Sequence, residues 1–527
     1  MNEPSNLYDE IPYPVSTYPQ THPNRLATLA TLFGMTPAPV RSCRVLELGC
    51  GSGGNVIPMA AILPESLFVG IDLSASQIAT GRALVAELGL RNIALDRMSI
   101  LDVPADAGPF DYIIAHGVYG WVLPEVQDKI LTICHENLAP QGVAYVSYNT
   151  YPGWHGRGAI RDMMQYHARR LTAPQARAAE GRALLAFLAG SVPGEHLAYS
   201  NLLKQEHQRV CDKTDGYLLH DELEEVNVPL YFHEFAARGA AHGLQYLAEA
   251  DVRQMFVRRF PPTVMAILER LGGDLIEREQ YRDFLTNCTY RQTLLCHRNV
   301  ALTRAISPER LTGLFIAACG QWVGGGPDLS SDRAEEFRGP EGSAVAASQP
   351  LFKAALLSLA DVWPQAVPFS ALETMARDRL AGGAVVVENA EGCARDRRLL
   401  ADNLWQAFVA GVVELHADAP PLVLEPGEHP TAPPLARLQA AGGTRVTNLR
   451  HETVPLDDLT CYLLRHLNGQ QDRRALLDVL VRRVEEHGLV VQQHGRPVTD
   501  AGQLRAVLGE GLQAKLGALG RSGLLFA

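Results

Sequence analysis

The sequence predicts an α/β fold built on a parallel sheet, with a nucleoside cofactor bound at one edge of that sheet. Val45, Leu46 and Leu48 are apolar, strand-favouring residues typical of a buried parallel strand, and they lead directly into a glycine-rich segment at residues 49–54. Glycines allow the backbone to turn sharply and to approach a ligand closely. Asp72 follows a second strand-like run at residues 67–71, and an acid in that position commonly binds the hydroxyls of an adenosyl ribose.

The glycine pattern alone leaves the cofactor open. Gly49, Gly51 and Gly54 fit the G-x-G-x-x-G fingerprint of dinucleotide-binding proteins. Gly49, Gly51 and Gly53, preceded by Glu47, equally fit the E-x-G-x-G-x-G loop of methyltransferases that use S-adenosylmethionine. A tight turn with a purely structural role is the third interpretation.

The segments that follow favour S-adenosylmethionine. Asp102 lies where that class of methyltransferase has an acid near the adenine amino group. Residues 110–115 and 142–147 predict a fourth and a fifth strand, and residues 75–88 and 124–138 predict helices between the strands. This order resembles the class I methyltransferase fold, which has a Rossmann-like seven-stranded sheet.

We predict that the cofactor contacts come from the glycine loop, from the segments around the two acids and from the end of the fourth strand. The predicted contacts are Glu47, Gly49, Cys50, Gly51, Gly53, Asn55, Asp72, Leu73, Gln77, Ile100, Leu101, Asp102, His116 and Tyr13. Cys50 and Ile100 are expected to contribute through their backbone atoms.

Size and composition limit the other possibilities. A chain of 527 residues is too long for one core and predicts about three domains. The hydrophobic content of 47% and charged content of 20% are those of a soluble globular protein. No apolar run approaches the ~18 residues of a membrane helix, and residues 1–20 are unlike a signal peptide. The nine cysteines form no C-x-x-C pair, so we expect a cytoplasmic protein without a metal site.

Residues 1–40 are rich in aromatics and prolines, which predicts either a lid over the cofactor or a strap packed on the sheet. Residues 41–250 form the predicted cofactor domain, and residues 155–215 within it are expected to be a helical insertion that covers the substrate. Residues 228–232 and 244–248 are expected to be its last two strands.

The rest of the chain is predicted to be mainly helical. Residues 251–330 form a helical regulatory domain in this prediction, and residues 435–527 form a C-terminal helical module. Between them, helices at residues 349–360, 368–377 and 396–415 end in a short extended piece. This pattern suggests a winged-helix-like domain at residues 345–418.

Four segments carry a family resemblance. Residues 8–23, with Tyr-Asp-x-x-Pro-Tyr and Thr-His-Pro, residues 110–121, residues 148–154 and residues 283–295 resemble bacterial methyltransferases that bear a methyltransferase regulatory domain. That group includes the rickettsial-type protein lysine methyltransferases, which methylate lysines of surface proteins and end in a winged-helix-like region. The motifs cover residues 5–300, and beyond residue 340 the resemblance is architectural only. It implies a class I methyltransferase that uses S-adenosylmethionine.

Methyl transfer is an in-line displacement, so the site must mainly position the reactants and exclude water. An amine acceptor must first lose a proton, and an aromatic pocket helps by desolvating the ammonium and attracting cations. Such residues follow the fourth and fifth strands, where ligands bind at a parallel sheet. The candidate catalytic residues are His116, Tyr119, Asn149, Tyr151, Trp154 and His22. Structural roles in capping and core packing are the alternatives for His116, Tyr151 and Trp154.

The sequence therefore predicts an N-methyltransferase that acts on lysine side chains of a protein. A small-molecule O- or N-methyltransferase and a regulatory protein that binds the cofactor without catalysis remain open. The chain lacks the Asn-Pro-Pro-Tyr tetrapeptide of nucleic-acid amino methyltransferases, and its net charge is −11. We therefore expect no nucleic-acid partner and no membrane partner. Residues 340–527 are expected to dock the protein substrate or to form a subunit interface, such as that of a homodimer.

Overall fold

The computed structural model describes residues 11, 16–193, 196–256, 260–382, 390–486, 491–493, 496–498 and 500–526. The chain divides into two compact units. The first unit comprises Met1–Ser16, Cys43–Ile57 and Glu65–Ala301, and the second comprises Thr17–Ser42, Pro58–Pro64 and Leu302–Ala527. Their helices of seven or more residues are α1 Pro23–Leu32, α2 Val56–Ile62, α3 Ala75–Leu88, α4 Pro124–Glu136, α5 Gly153–Ala168, α6 Pro174–Ser191, α7 Leu197–Val210, α8 Phe232–Ala241, α9 Pro262–Leu271, α10 Leu275–Thr286, α11 Pro350–Val362, α12 Phe369–Ala381, α13 Ala390–Val409, α14 Pro434–Gly442, α15 Asp458–His466, α16 Arg473–Glu486 and α17 Ala501–Arg521.

The first unit is built on a seven-stranded sheet. Its strands are β1 Arg44–Leu48, β2 Leu67–Asp72, β3 Ile93–Arg97, β4 Phe110–Ala115, β5 Leu138–Asn149, β6 Leu244–Glu249 and β7 Tyr290–His297. They lie in the order β3-β2-β1-β4-β5-β7-β6. The first five strands are parallel, and β7 runs antiparallel to both of its neighbours. The predicted class I methyltransferase fold is confirmed.

The last strand pair differs from the prediction in one strand. Strand β6 forms at the predicted place, but residues 228–232 form no strand, and Leu230 makes only an isolated bridge to Thr150. Pro229 lacks the N–H that a central strand would need. The seventh strand is instead β7, which comes from the segment predicted as a helical regulatory domain, and its place between β5 and β6 buries most of its side chains.

Local sequence signals explain several helix ends. Helix α3 begins where the Ser74 hydroxyl accepts a hydrogen bond from the Gln77 N–H, and it ends at Gly89, which has φ +67°. The predicted helical insertion is confirmed as helices α5, α6 and α7. These helices bury their own apolar cluster, which includes Ile160 and Leu203. The insertion is therefore a packed module on the first unit.

The second unit contains short strands among its helices. The strands are β8 Phe315–Ala318, β9 Gln321–Trp322, β10 Glu335–Arg338, β11 Ala344–Ala347, β12 Val367–Pro368, β13 Val413–His416, β14 Arg445–Thr447, β15 Thr453–Pro455, β16 Gln492–Gln493 and β17 Arg496–Pro497. Helices α11, α12 and α13 confirm the three helices predicted around residues 349–415, although α13 ends at Val409. The predicted extended piece is β13, which pairs with β8. In the described part of the chain, no helix is both long and apolar enough to cross a bilayer.

Candidate functional site

The glycine loop after β1 has a backbone that requires glycine. Gly49, Gly51 and Gly53 have φ angles of +72°, +57° and +79°. The Gly49 N–H donates to the Ile71 carbonyl at 2.9 Å, which ties the loop to the end of β2. A Cβ on Gly49 would lie 2.5 Å from Cγ2 of Val118. Both the backbone angle of Gly49 and its close contact with Val118 therefore require glycine at this position.

Asp72 ends β2 and holds the loop in place. One carboxylate oxygen accepts from the Gly51 N–H at 2.8 Å, and the other accepts from the Ser74 N–H at 2.8 Å. A carboxylate oxygen has two lone pairs, so each can still accept a hydroxyl of a ribose. Cys50, between the loop glycines, is buried, and burial raises the pKa of its thiol well above the ordinary value. Cys50 therefore stays protonated at neutral pH.

Glu47 is a buried acid directly below the loop. It is 4% exposed, and its Oε1 accepts from the Asn55 Nδ2 at 2.7 Å. Its Oε2 has no hydrogen-bond partner among the described residues. Burial raises the pKa of Glu47 to about 7, and the Asn55 hydrogen bond acts in the opposite direction. An acid that is half ionised near neutral pH suits a site for a cationic ligand.

Two of the other predicted cofactor residues are large apolar side chains that face solvent. Leu73 is 58% exposed and Leu101 is 45% exposed, next to Asp72 and Asp102 respectively. Ile100–Asp102 form a short 3-10 helix that the Ser99 hydroxyl caps. Gln77 is buried, with Oε1 3.0 Å from the position of a Cβ on Gly51. Tyr13 lies outside the described residues.

His116 is held as a neutral imidazole at the end of β4. Its Nδ1 lies 2.9 Å from the Tyr145 hydroxyl, and the neighbouring Gly117 N–H donates to the Ser147 hydroxyl at 2.8 Å. Burial lowers the pKa of His116 to about 4. The ring therefore carries no charge at neutral pH, and it is a poor proton acceptor there.

Tyr119 lies in the hydrophobic core. It is fully buried and packs edge-on against Phe235 and Tyr148, with ring centroids 5.2 Å and 6.1 Å away. Burial raises the pKa of its phenol to about 12. These surroundings are those of a packing residue, in contrast to the predicted contact with an acceptor.

The residues after β5 are divided between the interior and the surface. Asn149 is buried and donates from Nδ2 to Oδ1 of Asn227 at 2.9 Å. Tyr151 is half-buried and stacks on the exposed His155, with ring centroids 4.1 Å apart. Trp154 is buried, and its ring lies edge-on to Trp121 at 6.0 Å. The segments that follow the neighbouring strands β4 and β5 are therefore in contact through these two tryptophans.

His22 belongs to the second unit. Its Nδ1 accepts from the Asn24 N–H at 3.1 Å, so it caps the start of α1. Its ring centroid lies 5.2 Å from that of His451. Burial lowers the pKa of His22 to about 4, with His416 acting in the same direction. These contacts give His22 a capping role in its own unit.

Arg161 is a buried arginine beside Trp121 that the sequence analysis did not predict. It lies on α5 and is 6% exposed, with its guanidinium carbon 5.9 Å from the centre of the Trp121 ring. An arginine in a helix rich in polar residues usually lies on a solvated face. For this reason Arg161 was not predicted as a site residue. The usable signal was the spacing of Trp154, Arg157 and Arg161, which share one helix face at steps of three and four residues.

Three family models match the chain. The Methyltransferase domain matches residues 45–142, the Predicted methyltransferase regulatory domain matches residues 214–297, and the PKMT C-terminal winged helix domain matches residues 428–524. The regulatory match starts earlier than the predicted boundaries of 251–330. The winged-helix match falls on the segment predicted as a helical module, beyond the winged-helix-like domain predicted at residues 345–418.

Related proteins extend the match over the whole length. Protein RP789 of Rickettsia prowazekii is 34% identical over 516 residues, which cover 95% of this chain and 90% of the relative. Protein RP028 of the same organism is 40% identical over 228 residues, which cover 43% of this chain and 91% of the relative. The structure of PKMT2 from Rickettsia typhi in complex with AdoHcy superimposes with a TM-score of 0.86 at 28% identity and covers 98% of this chain and 100% of that chain.

The glycine cradle, the buried Glu47 and the carboxylate of Asp72 fit a nucleoside cofactor that carries positive charge. The full-length relative, the three domain matches and the seven-stranded sheet point to the same class of enzyme. The chain therefore belongs to the S-adenosylmethionine-dependent methyltransferases that carry a methyltransferase regulatory domain and the PKMT C-terminal winged helix, and it is similar to PKMT2 from Rickettsia typhi.

Proposed function

We propose that this methyltransferase transfers methyl groups to the ε-amine of lysine side chains in a protein acceptor. The observation that carries the proposal is the likeness to PKMT2 over the whole chain, including the C-terminal winged helix. The aromatic residues that follow β4 and β5 support it. Trp121 and Trp154 lie edge to face beside the neutral His116 segment, at the sheet edge where an acceptor would enter.

We propose that the cofactor lies across the ends of β1, β2 and β3. In this arrangement Gly49, Gly51 and Gly53 surround the methionine portion, Asp72 binds the ribose and Asp102 lies near the adenine. The exposed Leu73 and Leu101 would cover the adenosyl group, since both are large apolar side chains beside the two acids. The cofactor supplies an electrophilic methyl group on a sulfonium.

The protein's own part in the reaction is to deliver a neutral amine. The ordinary pKa of a lysine amine is about 10.4, so the proton must leave before transfer. His116 is a weak base because burial lowers its pKa to about 4. We therefore propose that deprotonation follows from desolvation of the ammonium between aromatic rings, with the proton passing to water. His116 then positions the end of β4 through its contact with Tyr145.

Residues 340–527 are proposed to dock the protein acceptor or a second copy of the chain. Helix α13 lies before the segment that the winged-helix model matches, and its apolar residues pack in the core, where Leu404 and Ala407 are fully buried. Its Arg397 donates to Glu373 at 2.8 Å. That pair reduces the positive charge available to phosphates, which supply much of the affinity for DNA.

The acceptor class can be tested by label transfer. The purified protein is incubated with methyl-labelled S-adenosylmethionine, a bacterial lysate and a separate metabolite extract, and the labelled products are identified by mass spectrometry. We expect label on lysine residues of proteins. Label in small molecules alone would support a metabolite methyltransferase and contradict the lysine proposal. Absence of label in both fractions, with cofactor binding intact, would support a regulatory role.

Cofactor affinity should depend on pH through Glu47. Positive charge on the cofactor favours the ionised carboxylate, so binding releases a proton when the free protein holds Glu47 protonated. Because the pKa of free Glu47 is about 7, affinity should rise with pH up to about 7 and level off above about 8. Calorimetry between pH 6 and 8 should show this dependence. Glu47→Gln should bind the cofactor more weakly, and its affinity should not depend on pH in this way. Glu65→Gln, at an exposed position, should behave like the unchanged protein. A pH-independent affinity in the unchanged protein would contradict the assignment.

A further inference from the structure

A cluster of buried hydrogen-bond donors without acceptors lies beneath the insertion. Nε and Nη2 of Arg161 and Nε1 of Trp154 are buried, and none has a hydrogen-bond partner in the described structure. The Trp121 ring connects them, since it lies 5.9 Å from the Arg161 guanidinium and edge to face with Trp154. Burying a charge without a partner is costly, so such a cluster indicates a site for an anionic group.

The nearby acids do not neutralise Arg161. Within the described ranges, no carboxylate lies within 4.0 Å of its guanidinium. Glu222 is engaged by Arg209 at 2.6 Å, and Glu206 is engaged by Arg209 at 2.7 Å. Burial lowers the pKa of Arg161 from its ordinary value, and the more distant Glu222 and Asp162 oppose that change. The guanidinium nevertheless remains charged in proteins, so it still needs an anion.

The position of the cluster distinguishes two sources of a carboxylate. Trp121 follows β4 and Trp154 follows β5, whereas the proposed cofactor loop follows β1, the neighbour of β4, and the two acids follow β2 and β3. Arg161 itself comes from α5 of the insertion, where such enzymes build covers for the acceptor. An acceptor carboxylate is thus better placed to reach the cluster than the carboxylate of the cofactor's methionine portion.

We propose that Arg161 and Trp154 bind a carboxylate side chain of the protein acceptor, an aspartate or glutamate near the target lysine. The inference rests on the proposed lysine methyltransferase function. A planar guanidinium matches a carboxylate in two parallel hydrogen bonds, and an indole N–H adds a third donor. The carboxylate would fix the register of the acceptor and bring the neighbouring lysine to the aromatic edge.

The test is a peptide array with matched sequences. Lysine peptides are prepared in pairs, with Asp and Glu near the lysine in one member and Asn and Gln in the other, and label transfer from S-adenosylmethionine is measured. We expect a preference of at least tenfold in kcat/KM for the acidic member. Arg161→Gln should remove the preference by raising KM for acidic peptides, and Arg161→Lys should retain part of it. Arg170→Gln, on an exposed arginine that follows α5, is the matched control.

Two further measurements separate this role from a structural one. The melting temperature of Arg161→Gln should be unchanged or higher, because the variant removes a buried unpaired charge. Its affinity for S-adenosylhomocysteine should stay within twofold of the unchanged protein. A preference that survives in Arg161→Gln would overturn the inference, and a tenfold loss of S-adenosylhomocysteine affinity would assign the site to the cofactor's carboxylate. Failure to label any peptide or protein would contradict the proposed function and, because the inference rests on that function, the inference as well.

Discussion

Replacing Gly49 by alanine should weaken cofactor binding by at least 100-fold while the rest of the first unit stays folded. The residue has φ +72°, and an added Cβ would lie 2.5 Å from Cγ2 of Val118. A left-handed backbone costs a non-glycine residue about 1–2 kcal/mol. The loop must also move to relieve the clash with Val118, which adds to this cost. Since about 1.4 kcal/mol is a factor of ten in affinity, a shift costing about 3 kcal/mol corresponds to the expected loss. Calorimetry with S-adenosylhomocysteine measures it.

Gly89→Ala is the matched control for Gly49→Ala. Gly89 ends α3 with φ +67°, and a Cβ there would meet nothing within 4 Å. The control therefore introduces the same backbone strain away from the loop, so it should reduce stability slightly and leave cofactor affinity unchanged. Binding by Gly49→Ala within threefold of the unchanged protein would show that the loop does not approach the cofactor as proposed.

Replacing Arg291 by methionine should destabilise the β5–β7–β6 side of the sheet by about 3–5 kcal/mol, the usual cost of breaking a buried ion pair. Arg291 is buried in β7 and donates to Glu249 at 2.7 Å and to Asp283 at 2.9 Å, and Glu279 lies 3.4 Å away. Burial raises the pKa values of all three acids, and Arg291 opposes this change. Without the guanidinium, Glu249 and Asp283 would be left buried without a cation among the described residues, and Glu279 would keep only its pair with Arg282.

Hydrogen exchange measured by mass spectrometry on peptides from β6 and β7 is the suitable measurement, because it reports on this region of the first unit alone. Arg82→Met is the control. Arg82 pairs with Asp96 at 2.9 Å where both side chains are about half exposed, and such pairs contribute about 0–1 kcal/mol. Equal protection of β7 in the Arg291→Met variant and in the unchanged protein would contradict the role assigned to the network.

The same network explains why the seventh strand escaped prediction. Polar and apolar residues alternate little in residues 290–297, and the segment follows a helix. The local pattern therefore did not distinguish this strand from the helical domain predicted around it. Their place in the sheet depends on pairing with β5, more than 140 residues earlier in the chain, and on the ion pairs of Arg291 with α10 and β6. Such long-range contacts leave no periodic signal in the strand's own sequence.

The sequence by itself determined the elements whose reasons are local. A strand, a glycine loop and an acid follow one another within 28 residues from Val45 to Asp72, and their order indicated the class I fold and its cofactor. The helices of the insertion likewise follow from nearby residues, because capping and helical periodicity act over a few positions.

Only the tertiary structure decided which side chains are buried and what they face. Tyr119 was predicted to contact the acceptor but packs in the core, whereas Arg161 was not among the predicted site residues and is buried beside Trp121. Burial depends on which distant segments cover a residue. Trp121 follows β4 and Arg161 lies on α5, so their contact forms only in the folded chain and could not be read from the spacing of residues on one helix.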